Sequence, residues 1–264
     1  MHLRFPPAGC LILAAFALMT PALTPPALAF DAGAMTDAER ADFRAEVRAY
    51  LLQNPEVLVE AIEVLDARKA SAQALSDSDM VTENQSAIFA DGRSWVGGNP
   101  QGDVTLVEFV DYRCGYCKRA HAEVTELVQT DGNIRFILKE FPILGPESVL
   151  ASRFAIAVRA VAGPDIYWQL HDALMTFRGD ITQAALDRLA QDLGLDPAQI
   201  ATAMADPGVM AEIAANHALA EVLQISGTPT FVMQDAKGRQ PEILLRGYLP
   251  MADMQSMVAE LRTQ

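Results

Sequence analysis

Two cysteines separated by two residues are the strongest chemical signal in this sequence. They lie in the tetrapeptide Cys114-Gly115-Tyr116-Cys117, and Cys10 is the only other cysteine among 264 residues. A pair at this spacing can close into a disulfide and reopen, with a thiolate rather than a thiol as the attacking group. The pair therefore predicts dithiol–disulfide exchange.

Two other functions of the pair remain open at this point. With His121 one helical turn later, the cysteines could form part of a zinc site, although the sequence has no second CxxC or CxxH pair. A purely structural disulfide is the other alternative, although so small a loop constrains the unfolded chain little. We expect no metal and no cofactor, and we expect His121, His171 and His217 to be ordinary surface or packed histidines.

The flanking sequence predicts a strand before the pair and a helix after it. Val104 to Val110 is a short apolar strand, residues 118–128 have helical periodicity, and Ile134 to Leu138 is a second strand. These elements form a βαβ unit with a parallel strand pair. Cys114 would lie at the helix N-terminus, where unpaired N–H groups and the helix dipole favour a thiolate. Cys114 is therefore the expected nucleophile, and the more buried Cys117 would resolve the mixed disulfide.

Residues 1–29 have the composition of a secretory signal peptide. Arg4 precedes the apolar run from Leu11 to Met19, and Ala27-Leu28-Ala29 fits the small-x-small cleavage pattern. The run is too short for a membrane span, so we expect export and cleavage rather than an uncleaved anchor. Cleavage would leave the CGYC pair as the only thiols.

Residues 30–75 are predicted to be helical, and the polar residues 76–93 to be a linker. Thr36 to Glu39 has the pattern of a capping box, and Asn54-Pro55 separates two helices. The second helix has a wide apolar stripe formed by Val57, Leu58, Ala61, Ile62, Val64 and Leu65. A short helical hairpin cannot bury this surface alone. We expect it to pack on the same helix of other chains in a homo-oligomer; packing on its own domain is the alternative.

Residues 94–264 are predicted to form one α/β domain with a helical insertion at about 147–224. Its remaining features are a turn cluster at Val96 to Pro100, strands at 230–233 and 243–246, and a closing helix at 251–261. Pro229 lies at the start of the third strand and should mark a bend or a strand edge.

The charge balance excludes some classes of function. Asp and Glu total 34 against 20 Lys and Arg, which gives a formal net charge of −14. Such a surface repels phosphate backbones and anionic lipids, so we expect no nucleic-acid partner and no peripheral membrane binding. With 51% hydrophobic residues, the chain can form a sizeable core.

The ordered motifs resemble the DsbA superfamily of periplasmic thiol–disulfide oxidoreductases over about residues 95–264. The Com1-type and ScsC-type branch is similar in Val96-Gly97-Gly98-Asn99-Pro100, Glu108-Phe109, Asp111 to Lys118 around the CGYC, Phe141-Pro142 and Thr228-Pro229-Thr230-Phe231. The resemblance implies an α/β thioredoxin fold with an inserted helical domain, preceded by an N-terminal helical segment. It also implies a periplasmic location.

The resemblance implies a substrate site around the cysteines. A cis-proline loop at Thr228-Pro229 would face Cys114, and the client backbone would pair beside it. The proline leaves no competing N–H group and keeps metals off the thiols. Gly115 and Tyr116 would contribute to the same client-binding surface.

Two charged positions are also implied by the resemblance. Glu108 matches a buried acid that moves a proton to or from the resolving cysteine. Lys139 resembles the partner that keeps this acid charged. The alternative is that Glu108 points to solvent and Lys139 makes a surface ion pair.

The dipeptide between the cysteines indicates the direction of the chemistry. Gly115-Tyr116 followed later by Thr228-Pro229 resembles the isomerases DsbC and DsbG more than DsbA, which has Pro-His. We therefore expect a milder oxidant with disulfide isomerase activity. Its partners would be unfolded or misoxidised exported proteins and a membrane thiol oxidant or reductant of the DsbB or DsbD type. The alternatives are a monomeric DsbA-like dithiol oxidase, a redox-inactive periplasmic chaperone or binding module, and a glutathione-using transferase of the related kappa type.

Overall fold

The computed structural model describes residues 35–263. The expected signal peptide at 1–29, with its cleavage site and Cys10, lies outside the described residues. Contacts divide the chain after Ile62, so residues 35–62 and 63–263 are described as separate units. Within the described range, no helix combines the length and the apolar composition needed to cross a membrane.

The N-terminal residues form two helices, as predicted. Helix α1 (Asp37–Gln53) begins with a complete capping box, in which the Thr36 hydroxyl accepts from the Glu39 amide and the Glu39 carboxylate accepts from the Thr36 amide. Helix α2 (Glu56–Glu83) begins directly after Pro55.

The predicted linker at 76–93 is wrong. Helix α2 continues to Glu83, and a short helix α3 (Gln85–Phe89) follows it. Val81, Ile88 and Phe89 are buried in the same apolar cluster as residues of the central sheet. Their polar neighbours conceal this role in the sequence, because the buried residues are too few and too widely spaced to give a clear apolar stripe.

A five-stranded mixed sheet forms the centre of the second unit. Its strands are β1 (Trp95–Gly98), β2 (Val104–Val110), β3 (Ile134–Glu140), β4 (Thr230–Asp235) and β5 (Ile243–Arg246), in the order β1-β3-β2-β4-β5. The predicted parallel pairing of β2 with β3 is confirmed, and the other pairs are antiparallel.

The turn cluster predicted at Val96 to Pro100 is correct only at its end: Val96 to Gly98 belong to strand β1, and the turn begins at Asn99, whose carbonyl accepts from the Gly102 amide. Strand β1 pairs with β3, with Trp95 opposite Leu138. Gly97 leaves room for the Trp95 indole, since a Cβ atom there would lie 2.0 Å from the ring. The glycine therefore permits a close packing contact within the strand.

Helices cover both faces of the sheet. They are α4 (Gly115–Asp131), α5 (Pro146–Ala162), α6 (Pro164–Thr176), α7 (Gln183–Asp192), α8 (Pro197–Met204), α9 (Pro207–Val222) and α10 (Met251–Arg262). Helices α5 to α9 are the predicted helical insertion between β3 and β4. This is a thioredoxin-like fold with an inserted helical region and N-terminal helices.

Alternation along the strands separates two apolar clusters. Leu106, Val110 and Leu138 pack with α4, α5, α6 and α10 on one face, which we call the α4 face. Val107 and Phe109 pack with α2, α3 and α9 on the opposite face, which we call the α9 face. Whether a residue of β2 or β3 lies on the α4 face or on the α9 face therefore depends on whether its number is even or odd.

Candidate active site

A short turn after β2 places Cys114 at the start of α4. Cys114 is the N-cap of the helix, and its sulfur accepts a hydrogen bond from the Cys117 amide at 3.4 Å. The buried Asp111 holds the turn, because its carboxylate accepts from the amides of Arg113, Ile143 and Leu144 at 2.8–3.0 Å. The predicted strand–cysteine–helix arrangement is confirmed.

The two cysteines have opposite acidities. A hydrogen bond from the Cys117 thiol lowers the pKa of Cys114 to about 5, and a further bond from the Thr228 side chain lowers it in the same direction. Burial raises the pKa of Cys117 above its ordinary value, and the bond to Cys114 and the nearby Glu108 add to the increase. At neutral pH, Cys114 is therefore the thiolate and Cys117 keeps its proton.

The loop before β4 lies against Cys114, as the resemblance implied. The Thr228-Pro229 peptide bond is cis. The Cys114 Sγ atom lies 3.1 Å from the Thr228 carbonyl oxygen, to which it donates a hydrogen bond when the thiol is protonated. Gly247, just after β5, donates from its amide to the Pro229 carbonyl at 2.9 Å, so the cis-proline loop is also held from its outer side.

Glu108 lies on the α4 face of the sheet and is 3% exposed. Burial raises its pKa to about 8, and the negative charge of Cys114 acts in the same direction. The carboxyl group is therefore mostly protonated at neutral pH, beneath a thiolate and a protonated thiol. The alternative of a solvent-facing Glu108 is wrong.

Lys139 does not pair with Glu108, and this prediction is wrong. In the parallel β2–β3 register, Lys139 lies opposite Phe109, whereas Glu108 lies opposite Leu138. The lysine side chain therefore lies on the opposite face of the sheet, where it donates to Asp91 Oδ2 at 2.8 Å and Ser94 Oγ at 3.1 Å. Because consecutive residues of a strand point to opposite faces, a difference of one residue in the pairing places the Glu108 and Lys139 side chains on opposite sides of the sheet.

A buried polar network beneath the active-site turn was not predicted. The Tyr112 and Tyr167 hydroxyls each donate to Glu140 Oε1 at 2.7 Å, and Tyr112 also lies 3.1 Å from His171 Nδ1. Burial raises the pKa of Glu140 to about 7, although these hydrogen bonds lower it. The network joins the turn before Cys114 to helix α6. The residues of this network are far apart along the chain, so no local sequence pattern predicted it.

Gly115 and Tyr116 lie beside Cys114, in the first turn of α4. A Cβ atom at Gly115 would meet no other atom within 4 Å, so the surface is open there. Tyr116 is 62% exposed, and its ring stacks on that of Tyr248 with the centroids 6.3 Å apart. Tyr248, which follows β5, was not identified from the sequence.

His121 lies against a carboxylate on helix α6. Its Nε2 atom lies 2.8 Å from the Asp172 carboxylate. Within residues 35–263, no group of three or more His, Cys, Asp or Glu side chains is placed to hold a metal ion.

The fold and this site define a thiol–disulfide oxidoreductase of the thioredoxin-like class. A family profile described as a DSBA-like thioredoxin domain matches residues 105–258, and the chain belongs to that family. A second profile, described as the copper resistance protein ScsC N-terminal domain, matches residues 39–72. The chain is thus an ScsC-like member of the DsbA superfamily.

Two solved structures show the similarity over most of their length. A thioredoxin-like oxidoreductase from Silicibacter pomeroyi DSS-3 is 41% identical, with a TM-score of 0.61 and coverage of 68% of this chain and 98% of that one. BcfH from Salmonella enterica Typhimurium is 28% identical, with a TM-score of 0.69 and coverage of 86% and 97%.

The curated relatives of this chain include much longer proteins that are named Na⁺/H⁺ antiporters. The Na⁺/H⁺ antiporter NhaA 3 of Salinispora tropica is 29% identical over 181 residues, which are 69% of this chain. The chain spans only about a quarter (27%) of that relative's length.

Proposed function

We propose that this chain is an exported periplasmic thiol–disulfide oxidoreductase that exchanges disulfides with client proteins through Cys114 and Cys117 and has disulfide isomerase activity. One observation carries the proposal. The hydrogen-bonded pair combines a thiolate with a depressed pKa and a buried partner with a raised pKa. This asymmetry separates the attacking sulfur from the resolving sulfur.

Isomerisation begins with the reduced pair. The Cys114 thiolate attacks one sulfur of a wrong client disulfide, a mixed disulfide forms at Cys114, and the other client sulfur leaves as a thiolate. That thiolate, or another in the client, attacks a second client disulfide and releases a new client thiolate. The new thiolate attacks the client sulfur of the mixed disulfide, which forms a client disulfide and releases Cys114 as a thiolate. The client keeps its number of disulfides, so no external oxidant or reductant is consumed.

Oxidation begins with the disulfide form of the pair. A client thiolate attacks the sulfur of Cys114, and Cys117 leaves and takes up a proton. A second client thiolate then attacks the client sulfur of the mixed disulfide and releases Cys114 as a thiolate. Two electrons pass from the client to the pair. A membrane thiol oxidant of the DsbB type would return the reduced pair to the disulfide, whereas a membrane reductant of the DsbD type would keep the pair reduced for isomerisation.

Glu108 and the cis-proline loop support these steps. Glu108 is close enough to affect the pKa of Cys117 and holds a proton at neutral pH, so it suits proton transfer to or from the resolving sulfur. The Thr228 backbone lies against Cys114, and Pro229 has no N–H to compete for a client carbonyl. A client segment would pair along this loop.

Trapping separates the roles of the two sulfurs. We expect Cys117→Ala to accumulate mixed disulfides with model clients that carry disulfides, because Cys114 attacks the client disulfide and no resolving cysteine remains to release the adduct. Cys114→Ala should form none. Non-reducing gels and peptide mapping identify the sulfur that carries the adduct. Adducts on Cys117 in the wild type, or full exchange by Cys114→Ala, would contradict the assignment.

Activity assays separate isomerase, oxidase and chaperone. The wild-type reduced protein should restore scrambled ribonuclease, and Cys114→Ala should lose that activity. If the wild type oxidises reduced ribonuclease but leaves the scrambled form unchanged, the chain is a DsbA-like oxidase. If Cys114→Ala suppresses client aggregation as well as the wild type and neither exchanges disulfides, the chain is a binding module.

A further inference from the structure

The surface around the CGYC pair is basic, although the protein is strongly acidic. Lys118 and Arg119 follow Cys117 directly, and Arg178 lies in the loop after α6. A hydrogen bond from Lys118 Nζ to the Phe177 carbonyl oxygen at 2.6 Å brings this loop to the first turn of α4. Burial lowers the pKa of Lys118, and repulsion by the Arg178 charge lowers it further, so the two cations are close neighbours.

These three cations form no salt bridge with the described residues. Within residues 35–263, no carboxylate oxygen lies within 4.0 Å of the charged nitrogens of Lys118, Arg119 or Arg178. By contrast, Arg113 on the other side of Cys114 is neutralised by Glu147 at 2.8 Å. Since acids outnumber bases by 14 in the chain, unpaired cations beside the reactive sulfur are a local reversal of charge.

Arg119 is held in place by an aromatic ring. Its guanidinium carbon lies 4.4 Å from the centroid of the Tyr248 ring, and Tyr116 stacks on the same tyrosine. The acid near the patch is Glu123, one helical turn after Arg119, and it uses its two oxygens to accept from the Tyr248 hydroxyl and the Met251 amide. These hydrogen bonds lower the pKa of Glu123, and the charge of Arg119 lowers it further. Although the guanidinium also hydrogen-bonds to Tyr248, its remaining N–H groups are available for a carboxylate from outside, in the fork geometry that arginine favours.

We infer that this cationic patch selects client segments in which the reacting cysteine is flanked by acidic side chains. The inference rests on the proposed function and adds the chemical class of the client. At a rise of about 1.5 Å per residue, Lys118 and Arg119 lie roughly 6–8 Å along α4 from Cys114. That distance is comparable to the Debye length of about 8 Å at physiological salt, so their field acts at the sulfur. A flanking carboxylate would meet the patch as the client disulfide meets Cys114.

The test uses peptide disulfides that differ only in the residues flanking cysteine. Three symmetric dimers carry Asp, Asn or Lys on both sides, and the rate of exchange with the reduced protein is measured for each. Flanking charge also changes the leaving thiol, so each rate is divided by that of the same peptide with the neutral thiol β-mercaptoethanol. Exposed charge pairs differ by small factors, so we expect the corrected rate to favour Asp over Lys by roughly three- to ten-fold at low salt. The preference should fade at about 0.5 M salt, where the Debye length is roughly 4 Å.

Variants of the patch locate the origin of the preference. Arg119→Gln and Arg178→Gln should each reduce the Asp-to-Lys ratio, and the double variant should reduce it further, to the part that Lys118 supplies. A change in the acidity of Cys114 acts equally on both peptides and cancels in the ratio. Lys237→Gln is the matched control, because Lys237 is exposed in the turn after β4, at the end of the sheet away from Cys114. It should leave the ratio unchanged.

The aromatic seat of Arg119 has its own test. Tyr248→Leu removes the ring and should weaken the preference. Tyr248→Phe keeps the ring but frees one oxygen of Glu123 beside Arg119, so it should weaken the preference less than Tyr248→Leu does. Equal corrected rates for the Asp and Lys peptides, or a ratio unaffected by the double variant, would overturn the inference while leaving the proposed function intact. Failure of all three peptides to exchange would instead contradict the proposed function.

Discussion

The environment of each side chain at the site sets its protonation state. Cys114 is at a helix N-terminus and accepts hydrogen bonds, whereas Cys117 and Glu108 lie in the apolar interior. The consequence is a single negative charge, on Cys114, the less buried sulfur of the pair, above two protonated buried groups. Burial disfavours charge and hydrogen bonding favours it, so three ionisable groups only a few residues apart behave differently.

The acidity of Cys114 gives a pH dependence that can be measured directly. We expect the rate of alkylation of Cys114 to rise through about pH 5 and to be flat by pH 7, because the thiolate is already formed. A depressed folded-state pKa stabilises the reduced protein above the ordinary thiol pKa, and this stabilisation is lost as pH falls through about 5. Urea unfolding of the reduced and oxidised forms should show that the difference between their free energies of unfolding changes between about pH 9 and pH 5. Reduced Cys114→Ser, which lacks the thiolate, should not show the change.

Glu108 should destabilise the protein at alkaline pH. With its folded-state pKa raised to about 8, it keeps a proton that the unfolded chain has released above about pH 4.5. Stability therefore falls between these values, by a few kcal/mol at about 1.4 kcal/mol per pKa unit. We expect Glu108→Gln to be more stable than the wild type at pH 8.5, with the gain disappearing near pH 4. It should also slow exchange and alter its pH profile.

The matched control for this change is the exposed Glu221 on α9. Glu221→Gln should alter neither the stability profile nor the exchange rate. If Glu108→Gln has the wild-type rate and pH profile, Glu108 does not transfer protons in the reaction, whatever its effect on stability.

The end of α2 and helix α3 belong to the catalytic unit and contribute to its core. Beyond the apolar residues, Asp77 on α2 forms a two-pronged ion pair with Arg246 at the end of β5, at 2.8 and 3.0 Å. Glu242 accepts from Ser78, Thr82 and Gln85. Arg246 also lies opposite Thr230 in the strand ladder, next to the cis-proline loop. These helices therefore hold the strand that supports the active-site loop.

Breaking the Asp77–Arg246 pair should loosen α2 and α3. Arg246→Leu leaves the Asp77 carboxylate buried without its cation, and we expect a loss of about 1–3 kcal/mol in the free energy of unfolding, since Arg246 is partly exposed. Hydrogen exchange should accelerate at residues 77–89. The double change Asp77→Leu with Arg246→Leu should be less harmful than Arg246→Leu alone. Arg188→Leu, at an exposed arginine on α7, should have little effect.

In α1 and the first part of α2, before residue 66, large apolar side chains are in contact with solvent. At least half of each such side chain is exposed in Tyr50, Leu52, Leu58, Val59, Ile62, Val64 and Leu65. Exposed apolar surface of this extent indicates an interaction site. It supports the proposal that these helices join chains into a homo-oligomer.

We expect light scattering of the chain without residues 1–29 to show an oligomer. Leu58→Glu combined with Ile62→Glu should give a monomer, because buried carboxylates at the contact are costly. Val222→Glu, at a similarly exposed apolar position on α9, is the control and should leave the oligomer intact. Because several active sites around one client raise the effective concentration, the monomer should lose isomerisation but keep dithiol oxidation.

Point variants are the better test here than removal of the segment. A truncation starting near Asp91 would also remove Val81, Ile88 and Phe89 from the core of the catalytic unit. A monomeric wild-type chain, or a monomeric variant with full isomerase activity, would favour the DsbA-like oxidase.

Much of the site was visible in the sequence because it depends on neighbouring residues. The apolar run from Val104 to Val110, the CGYC and the helical periodicity after it predict a cysteine pair at a strand–helix junction. Helix starts, strand runs and turns each depend on a few consecutive residues, and here these local signals agreed with the fold. The resemblance added the cis bond at Thr228-Pro229, which is present.

The remaining features depend on which distant residues meet. Lys139 and Asp91 are 48 residues apart, and the register of β3 decides that they pair on the face opposite Glu108. Arg119 meets Tyr248 only because the segment after β5 returns to the start of α4. Composition and spacing encode the local elements and the chemistry of the cysteines. The faces on which charges lie, and the partners they find, come from strand parity and chain return, which no short stretch of sequence contains.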